Sequence, residues 1–270
     1  MSFIKFGVSY NVFDGEELLK DSILSIREFI QYISVVYQKK SNYGNDCAED
    51  LVDLLFDLKD EGLIDEIVEF VPQYFGEQYC HNNELVKRNI GLELSRKNYC
   101  THHMSMDTDE FYIKEEFQNL VDFLKKNQNI ATYCGLVNYY KTPEYILNYN
   151  DETKVSLLFP IKDKNITYKM GYVNAPHIVD PTRRPFYDKY HLFDSDFIVM
   201  HHMTMVRKNI QTKLLNSSAR MIYDRENHIQ EIIDYYNNWN GENLIGKTVR
   251  ENVELLKIIP KFNLYNYNNY

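Results

Sequence analysis

HHMSMDTDEFY, residues 102–112, is an apolar run that ends abruptly on Asp107, Asp109 and Glu110. Its first half has the pattern of a buried strand, and its second half that of an acidic turn. The segments before it supply that strand with partners. IKFGVSYNV (4–12) is β-rich and breaks at Phe13-Asp14-Gly15. From Glu16 to about Gln31, Leu18, Leu19, Ile23, Ile26 and Ile30 recur at the spacing of one helical face. YISVVYQ (32–38) is a compact strand, and 49–61 is an amphipathic helix carrying Leu51, Leu54, Leu55 and Leu58, with Gly62 as its stop. IDEIVEFVP (64–72) is a third strand and Asn83 to Ser95 a third helix. The order β-α-β-α-β-α-β predicts an α/β fold, a mostly parallel sheet flanked by helices.

After Asp109 the regularity weakens. A helix over 115–126 precedes a strand at IATYCGLVNYY (130–140), and 141–193 is irregular, with short strands at best. DFIVMHHMTMV (196–206) is strand-like and leads into a helix expected over 206–220. From His228 onward one clear helix, a shorter second helix and a frayed end are expected. No Gly/Ser or Pro linker divides the 270 residues and no long repeat is present, which suggests one domain.

A hydrophobic fraction of 44% is enough for a substantial core, and 23 Tyr and 15 Phe make it unusually aromatic. The net charge of -9, from 39 acidic and 30 basic side chains, opposes nonspecific nucleic-acid binding, which needs a basic footprint. A local basic pocket for phosphates remains compatible with it. The N-terminal residues lack the apolar core of a signal peptide. No apolar run approaches the roughly 18 residues of a membrane span. Cys47, Cys80, Cys100 and Cys134 form no CxxC pair, so reduced thiols in a cytoplasmic protein are expected.

Ligands of open α/β sheets bind beyond the carboxyl ends of the strands, near the switch in strand order. Asp107 and Asp109 fall at that end of the fourth strand, where alternate residues share a face. Two carboxylates plus phosphate oxygens form the hard ligand set of Mg²⁺ or Mn²⁺. DxD alone is a weak motif that equally describes an acidic turn; its place after three βα units gives it weight. His201 and His202 are adjacent and point to opposite faces of a strand, so one of them can turn toward a metal. His102 and His103, inside the buried strand, suit packing better. GENLIGKT (241–248) matches the P-loop expression but follows a helix-like segment, not a buried strand, so a helix-joining turn is expected there. No GxGxxG follows the first strand, which excludes a dinucleotide fingerprint.

Four stretches together resemble the GT-A glycosyltransferases, family 2-like enzymes that use nucleotide-sugars. They are FGVSYNVFDGEELLKDSI (6–23), ELVKRNIGLELSRKN (84–98), HHMSMDTDEFY (102–112) and HHMTMVRKNIQTKLLNSS (201–218). The resemblance implies a Rossmann-like GT-A sheet with an irregular C-terminal half. It divides the chain into a nucleotide-sugar half (1–115), an acceptor half (116–227) and a helical tail (228–270). In the family the DxD strand binds a divalent ion that clamps the donor diphosphate. That implies Mn²⁺ or Mg²⁺ on Asp107, Asp109 and His202, with Asp109 the more direct ligand. Arg88 or Asn89 would contact diphosphate or ribose, although an exposed helical face is the competing reading.

The chain departs from the family after the second strand, where Gln38-Lys39-Lys40 replaces the usual acidic residue. Base recognition would then fall to Asn11, Asn42, Tyr43 or Asn45. Arg183 and Arg184 would cover the cleft or solvate a loop. If the reaction inverts the anomeric centre, a carboxylate must deprotonate the acceptor hydroxyl. Asp180, Asp188, Asp194 and Asp196 are candidates, Asp180 favoured; a retaining enzyme would need none. The expected activity is metal-dependent transfer of a sugar from a nucleotide diphosphate, UDP foremost, to a glycan or other hydroxyl acceptor. The alternatives are a sugar-nucleotide-forming nucleotidyltransferase, against which the acidic, Gly-poor NVFDGEE counts, and a noncatalytic carbohydrate-binding protein of the same fold.

Overall fold

The computed structural model describes residues 4–149, 151–170, 178–185, 187, 189–217, 220 and 228–264. Four parallel strands form the first sheet: β1 (Phe6–Val12), β2 (Tyr32–Tyr37), β3 (Glu66–Glu69) and β4 (His102–Asp107). The helices α1 (Glu16–Ile26), α2 (Leu51–Asp60) and α3 (Cys80–Lys97) connect them. Their spatial order is β3-β2-β1-β4, so the chain first builds outward from β1 and then returns to its other side. Every residue of β1 and β2 is buried, as strands covered on both faces must be.

The two faces of β1 differ in size, and that difference places α3. Phe6, Val8, Tyr10 and Val12 pack with Leu19 and Ile23 of α1 and Leu51 and Leu55 of α2. The opposite face offers Gly7, Ser9 and Asn11, and α3 presents small residues to it. A methyl added at Gly91 would lie 2.1 Å from Ser9 Oγ, and one added at Gly7 would lie 2.6 Å from Ser95 Oγ. Alternate residues of β4 then meet α3 in sequence. His103 Nδ1 bonds Ser95 Oγ at 2.8 Å, while Arg88 reaches Ser105 Oγ at 2.8 Å and Asp107 Oδ2 at 3.3 Å. Gly91→Ala is expected to cost about 1–3 kcal/mol through this overpacking. Ser9→Gly in the same chain should recover much of the loss; an unchanged urea midpoint for Gly91→Ala would show that the contact is slack.

Beyond Asp107 the chain leaves the first sheet at once. Glu110–Phe111 (β5) pairs with the second sheet, and α4 (Lys114–Lys126) leads to its central strand, β6 (Ala131–Tyr140). Around β6 run β7 (Thr142–Leu147), β8 (Thr153–Ser156), the short β9 (Phe159–Pro160) and β10 (Ile178–Val179), then β11 (Tyr190–Leu192) and β12 (Val199–Met205). β9 belongs to the first sheet, antiparallel to β4. β12 is parallel to β6 and antiparallel to β5, with His202 opposite Glu110. The pairing of β5 with β12 brings the acidic turn and the second histidine run together.

The C-terminal part corrects two expectations. The helix expected over 206–220 is α5 (Ile210–Asn216), because Val206 and Arg207 are consumed in the turn out of β12. After α6 (His228–Asn238) the expected second helix is a hairpin, β13 (Ile245–Lys247) and β14 (Asn252–Lys257). Val253 and Leu255 are buried while their neighbours are exposed, a period of two, and β14 adds to the edge of β7. GENLIGKT ends within this hairpin and is followed by β14 in place of a helix, so it cannot cradle a phosphate as a P-loop does. Among the described residues, no helix is long and apolar enough to cross a membrane.

Candidate active site

A cleft opens beyond the carboxyl ends of β1, β2 and β4, where the strand order switches. Asn11 and Asp14 come from the end of β1, Gln38 and Asn42 from the end of β2, and Asp107 and Asp109 from the end of β4. α3 contributes Glu84, Lys87 and Arg88, and α5 contributes Lys213 and Asn216. Asp180 closes the ring. The β1–α1 turn is held against the acidic turn by Thr108 Oγ1, which donates to Asp14 O at 2.9 Å. Gly15 makes this approach possible: its φ is +75°, and a side chain there would lie 2.4 Å from the Thr108 hydroxyl.

Fixed cations surround the two aspartates. Asp109 is 1% exposed; its Oδ2 accepts from Arg207 Nη2 at 2.6 Å and from Lys213 Nζ at 2.9 Å, and His202 Nε2 stands 3.5 Å away. Burial alone would raise its carboxyl, but Lys213 and then Arg207 outweigh it and hold the group well below the ordinary aspartate range. Asp107 Oδ2 accepts from Arg88 Nη2 at 3.3 Å and from Arg183 Nη2 at 2.5 Å. Against burial, Arg183 and then Arg88 depress this carboxyl as well. Arg183 also pairs with Glu110, a buried carboxylate whose Oε2 accepts from the Asp107 backbone N–H at 3.2 Å.

The structure brings together many, not all, of the residues the sequence singles out. Arg88 is buried and each of its guanidinium nitrogens makes one bond, to Thr182 Oγ1, Ser105 Oγ and Asp107 Oδ2. Asn11 and Asn42 line the cleft, Asn42 Oδ1 accepting from Asn83 Nδ2 at 3.0 Å. Asp180 lines it too, with Oδ1 accepting from the Thr182 amide and hydroxyl. His202 faces Asp109, with Nδ1 held by Asn138 Oδ1 at 2.8 Å, whereas His201 points to the other side, against Tyr139 and Phe262. His102 and His103 pack within the sheet: His102 bonds Thr101 and the Gln128 carbonyl, and His103 bonds Ser95.

Other expectations need correction. Asn89 does not reach the cleft; its amide bonds the backbone N–H and C=O of Tyr168 at 3.0 Å each. Neighbours on a helix point about 100° apart, so Arg88 and Asn89 cannot serve one ligand. Tyr43 and Asn45 turn toward the end of α5, bonding Ser217 O and Asn216 Oδ1. Arg184 bonds the Val179 carbonyl. Asp194 and Asp196 are exposed outside the cleft, and Asp188 lies outside the described residues. The metal reading meets a chemical obstacle in this arrangement. No three His, Cys, Asp or Glu side chains among the described residues converge as a ligand set. The oxygen nearest His202, Asp109 Oδ2, already takes a guanidinium and an ammonium. A divalent ion does not fit these donors as they stand.

Lys87, Lys213, Arg207, Glu110 and Glu84 line or brace the site without a role in the expectations drawn from sequence. Lys213 and Arg207 pair with Asp109 from 104 and 98 residues away, and Glu110 anchors Arg183. Glu84 is half-buried on the cleft wall, its carboxyl pushed up by burial and by Asp180. A usable signal was the helix spacing: Glu84, Lys87 and Arg88 stand at i, i+3 and i+4, on one face of α3.

No family model matches the chain, and no curated protein matches it. Among solved structures, the crystal structure of S. aureus TarS aligns with a TM-score of 0.44 at 12% identity, over 85% of this chain and 42% of TarS. The crystal structure of S. aureus TarS 1-349 in complex with UDP-GlcNAc aligns with a TM-score of 0.43 at 12% identity, over 87% of this chain and 72% of its own. GalNAc-T7, crystallised with UDP, GalNAc and Mn²⁺, aligns with a TM-score of 0.43 at 11% identity, over 86% of this chain and 50% of its own. The chain therefore spans less than half of TarS and half of GalNAc-T7.

Proposed function

We propose that the protein is a GT-A-type glycosyltransferase that moves a sugar from a nucleoside diphosphate, UDP foremost, to an acceptor hydroxyl. The observation that supports this reading most is the composition of the cleft. Neutral amides (Asn11, Gln38, Asn42) line one part of it, while Lys87, Arg88 and Lys213 meet the aspartates at the end of β4. The amides suit a base and a ribose, and the cations suit a diphosphate. Asn11 Oδ1 and Gln38 Oε1 are buried without a hydrogen-bond partner, which leaves acceptors for a donor N–H or O–H. Gln38 thereby takes the place the family gives to an acidic residue.

In this reading residues 1–115 supply most of the nucleotide half, while α5 closes over it from the acceptor half. As the bond from C1 to the leaving oxygen breaks, negative charge grows on the β-phosphate, and preorganised positive charge there lowers the barrier. Arg207 and Arg183 keep Asp109 and Asp107 ionised and fixed, so that Lys213 and Arg88 hold their places beside the diphosphate. Mn²⁺ or Mg²⁺, had it bound, would supply the same neutralisation. Asp180, oriented by Thr182, would accept the proton of the acceptor hydroxyl in an inverting reaction. A cytoplasmic setting belongs to the same reading, and all four cysteines are free thiols.

The test is a thermal-shift panel of nucleotide-sugars, with Mn²⁺ and with EDTA, followed by assay of nucleoside diphosphate release with sugar acceptors. One donor is expected to raise the midpoint and to release its nucleotide slowly. Neither stabilisation nor release by any donor would end the assignment, and stabilisation without release would favour the carbohydrate-binding alternative.

A further inference from the structure

Lys87 differs from every other cation of the cleft. It is 5% exposed, and its side chain lines the cavity beside Asn11 and Arg88. Arg88, Arg183, Arg207 and Lys213 each form an ion pair with Asp107, Glu110 or Asp109. Lys87 makes no hydrogen bond and no ion pair with any described residue. Burial pulls its ammonium below the ordinary lysine range, and Glu84 and Asp107 act on it without restoring that range. An ammonium so far withdrawn from bulk water, on the cleft wall and without a close carboxylate, is costly to hold, and an anion entering the cleft would offset that cost.

Lys213 complements it from α5. It shares Asp109 Oδ2 with Arg207, so one carboxylate faces two full positive charges. Lys213 is the more exposed of the two and can turn to a second anion while Arg207 keeps Asp109 paired. Asp14, Glu84 and Asp180 also face the cleft, and a divalent ion carried in on the donor is the competing arrangement.

We propose that Lys87 and Lys213 hold the diphosphate of the nucleotide donor, and that this binding needs no divalent ion. This rests on the donor reading above and assigns its charge neutralisation to the chain's own side chains. It also makes Lys87 a residue whose effects on stability and on binding have opposite signs.

The experiment is calorimetry of UDP, GDP and pyrophosphate against the full chain, in EDTA and in Mn²⁺, for the wild type, Lys87→Met and Lys213→Met. Thermal midpoints of the ligand-free proteins are measured beside it. At least one of the three ligands is expected to bind in EDTA, with Mn²⁺ changing its affinity by less than about threefold, since fixed charge-assisted bonds already do the ion's work. Each lysine variant should lose about tenfold or more in affinity. Lys87→Met should at the same time raise the ligand-free midpoint. Binding that appears only with Mn²⁺ would overturn the proposal and leave the donor reading standing. A Lys87→Met protein with a lowered midpoint and unchanged affinity would make Lys87 a structural residue and would also overturn it. If none of the ligands binds in either condition, the donor reading fails and the proposal fails with it.

Discussion

Asp109→Asn is expected to lower the thermal midpoint by about 10 °C, from a loss of about 3–5 kcal/mol. Asp109 is 1% exposed, and its carboxylate balances both the buried Arg207 and Lys213. The isosteric amide keeps the volume but removes the charge, and Arg207 cannot shed its own by deprotonating. Two guanidinium nitrogens of Arg207, Nε and Nη1, are already buried without partners, so little local reserve exists to absorb the change. Asp109→Asn/Arg207→Met should recover much of the loss, because replacing a buried pair by apolar volume is often near neutral. A double-mutant cycle in urea measures the coupling directly. Should Asp109→Asn unfold at the wild-type midpoint, the ion pairs around Asp109 would not be the anchor of the acidic turn. A loss of activity in this variant would therefore mix unfolding with chemistry, and Lys213 offers the cleaner probe.

Acidification should destabilise the protein while Asp107 and Asp109 are still ionised. Burial holds His102 near pKa 4, against a lesser opposing pull from its bond to the Gln128 carbonyl, and holds His103 and His201 near 3. In the unfolded chain each would titrate near 6.5. The folded form thus keeps these rings neutral while the unfolded form takes up protons, so stability is complete above pH 6.5 and falls as the pH drops toward 4. Taken alone, three such groups would remove about 6 kcal/mol between pH 7 and pH 5, and the raised carboxyls of Glu84 and Glu110, which take up protons more readily in the folded form, offset part of that. Asp107 and Asp109, with depressed carboxyls, add their own loss only at lower pH. Urea midpoints measured from pH 7 to pH 4.5 should show the decline, and His103→Gln should flatten it. A flat profile over that range would mean that the rings titrate freely.

The first sheet was legible because its signals are local. Each βα unit carries its own apolar period and its own stop, such as Phe13-Asp14-Gly15 or Gly62. The hairpin at the C-terminus was not, since NVELLK is short enough for Val253, Leu255 and Leu256 to satisfy a helical or a strand period. Only the free edge of β7 decides between them. The cleft divides in the same way. Asp107, Asp109 and Arg88 stand on elements whose direction the sequence predicts. The partners of Asp109 come from residues 98 and 104 positions away, through a pairing of β5 with β12 that no local pattern encodes. Arg88 and Asn89 show the limit at its finest: adjacent in the chain, they serve different neighbours because one helical step separates them.

The contact of Gly91 with Ser9 acts as a length standard for the site. α3 is a rigid lever, and Lys87 sits one turn from the point where the lever touches β1. The absent side chain at Gly91 therefore sets how far the Lys87 ammonium stands from the strand ends. If the cleft takes a nucleotide as proposed, its affinity would then be tuned by a methyl group far from any ligand atom, with every residue of the cleft unchanged. Gly91→Ala with and without Ser9→Gly, measured for UDP affinity at a temperature where both proteins are folded, would show whether distance alone has that authority.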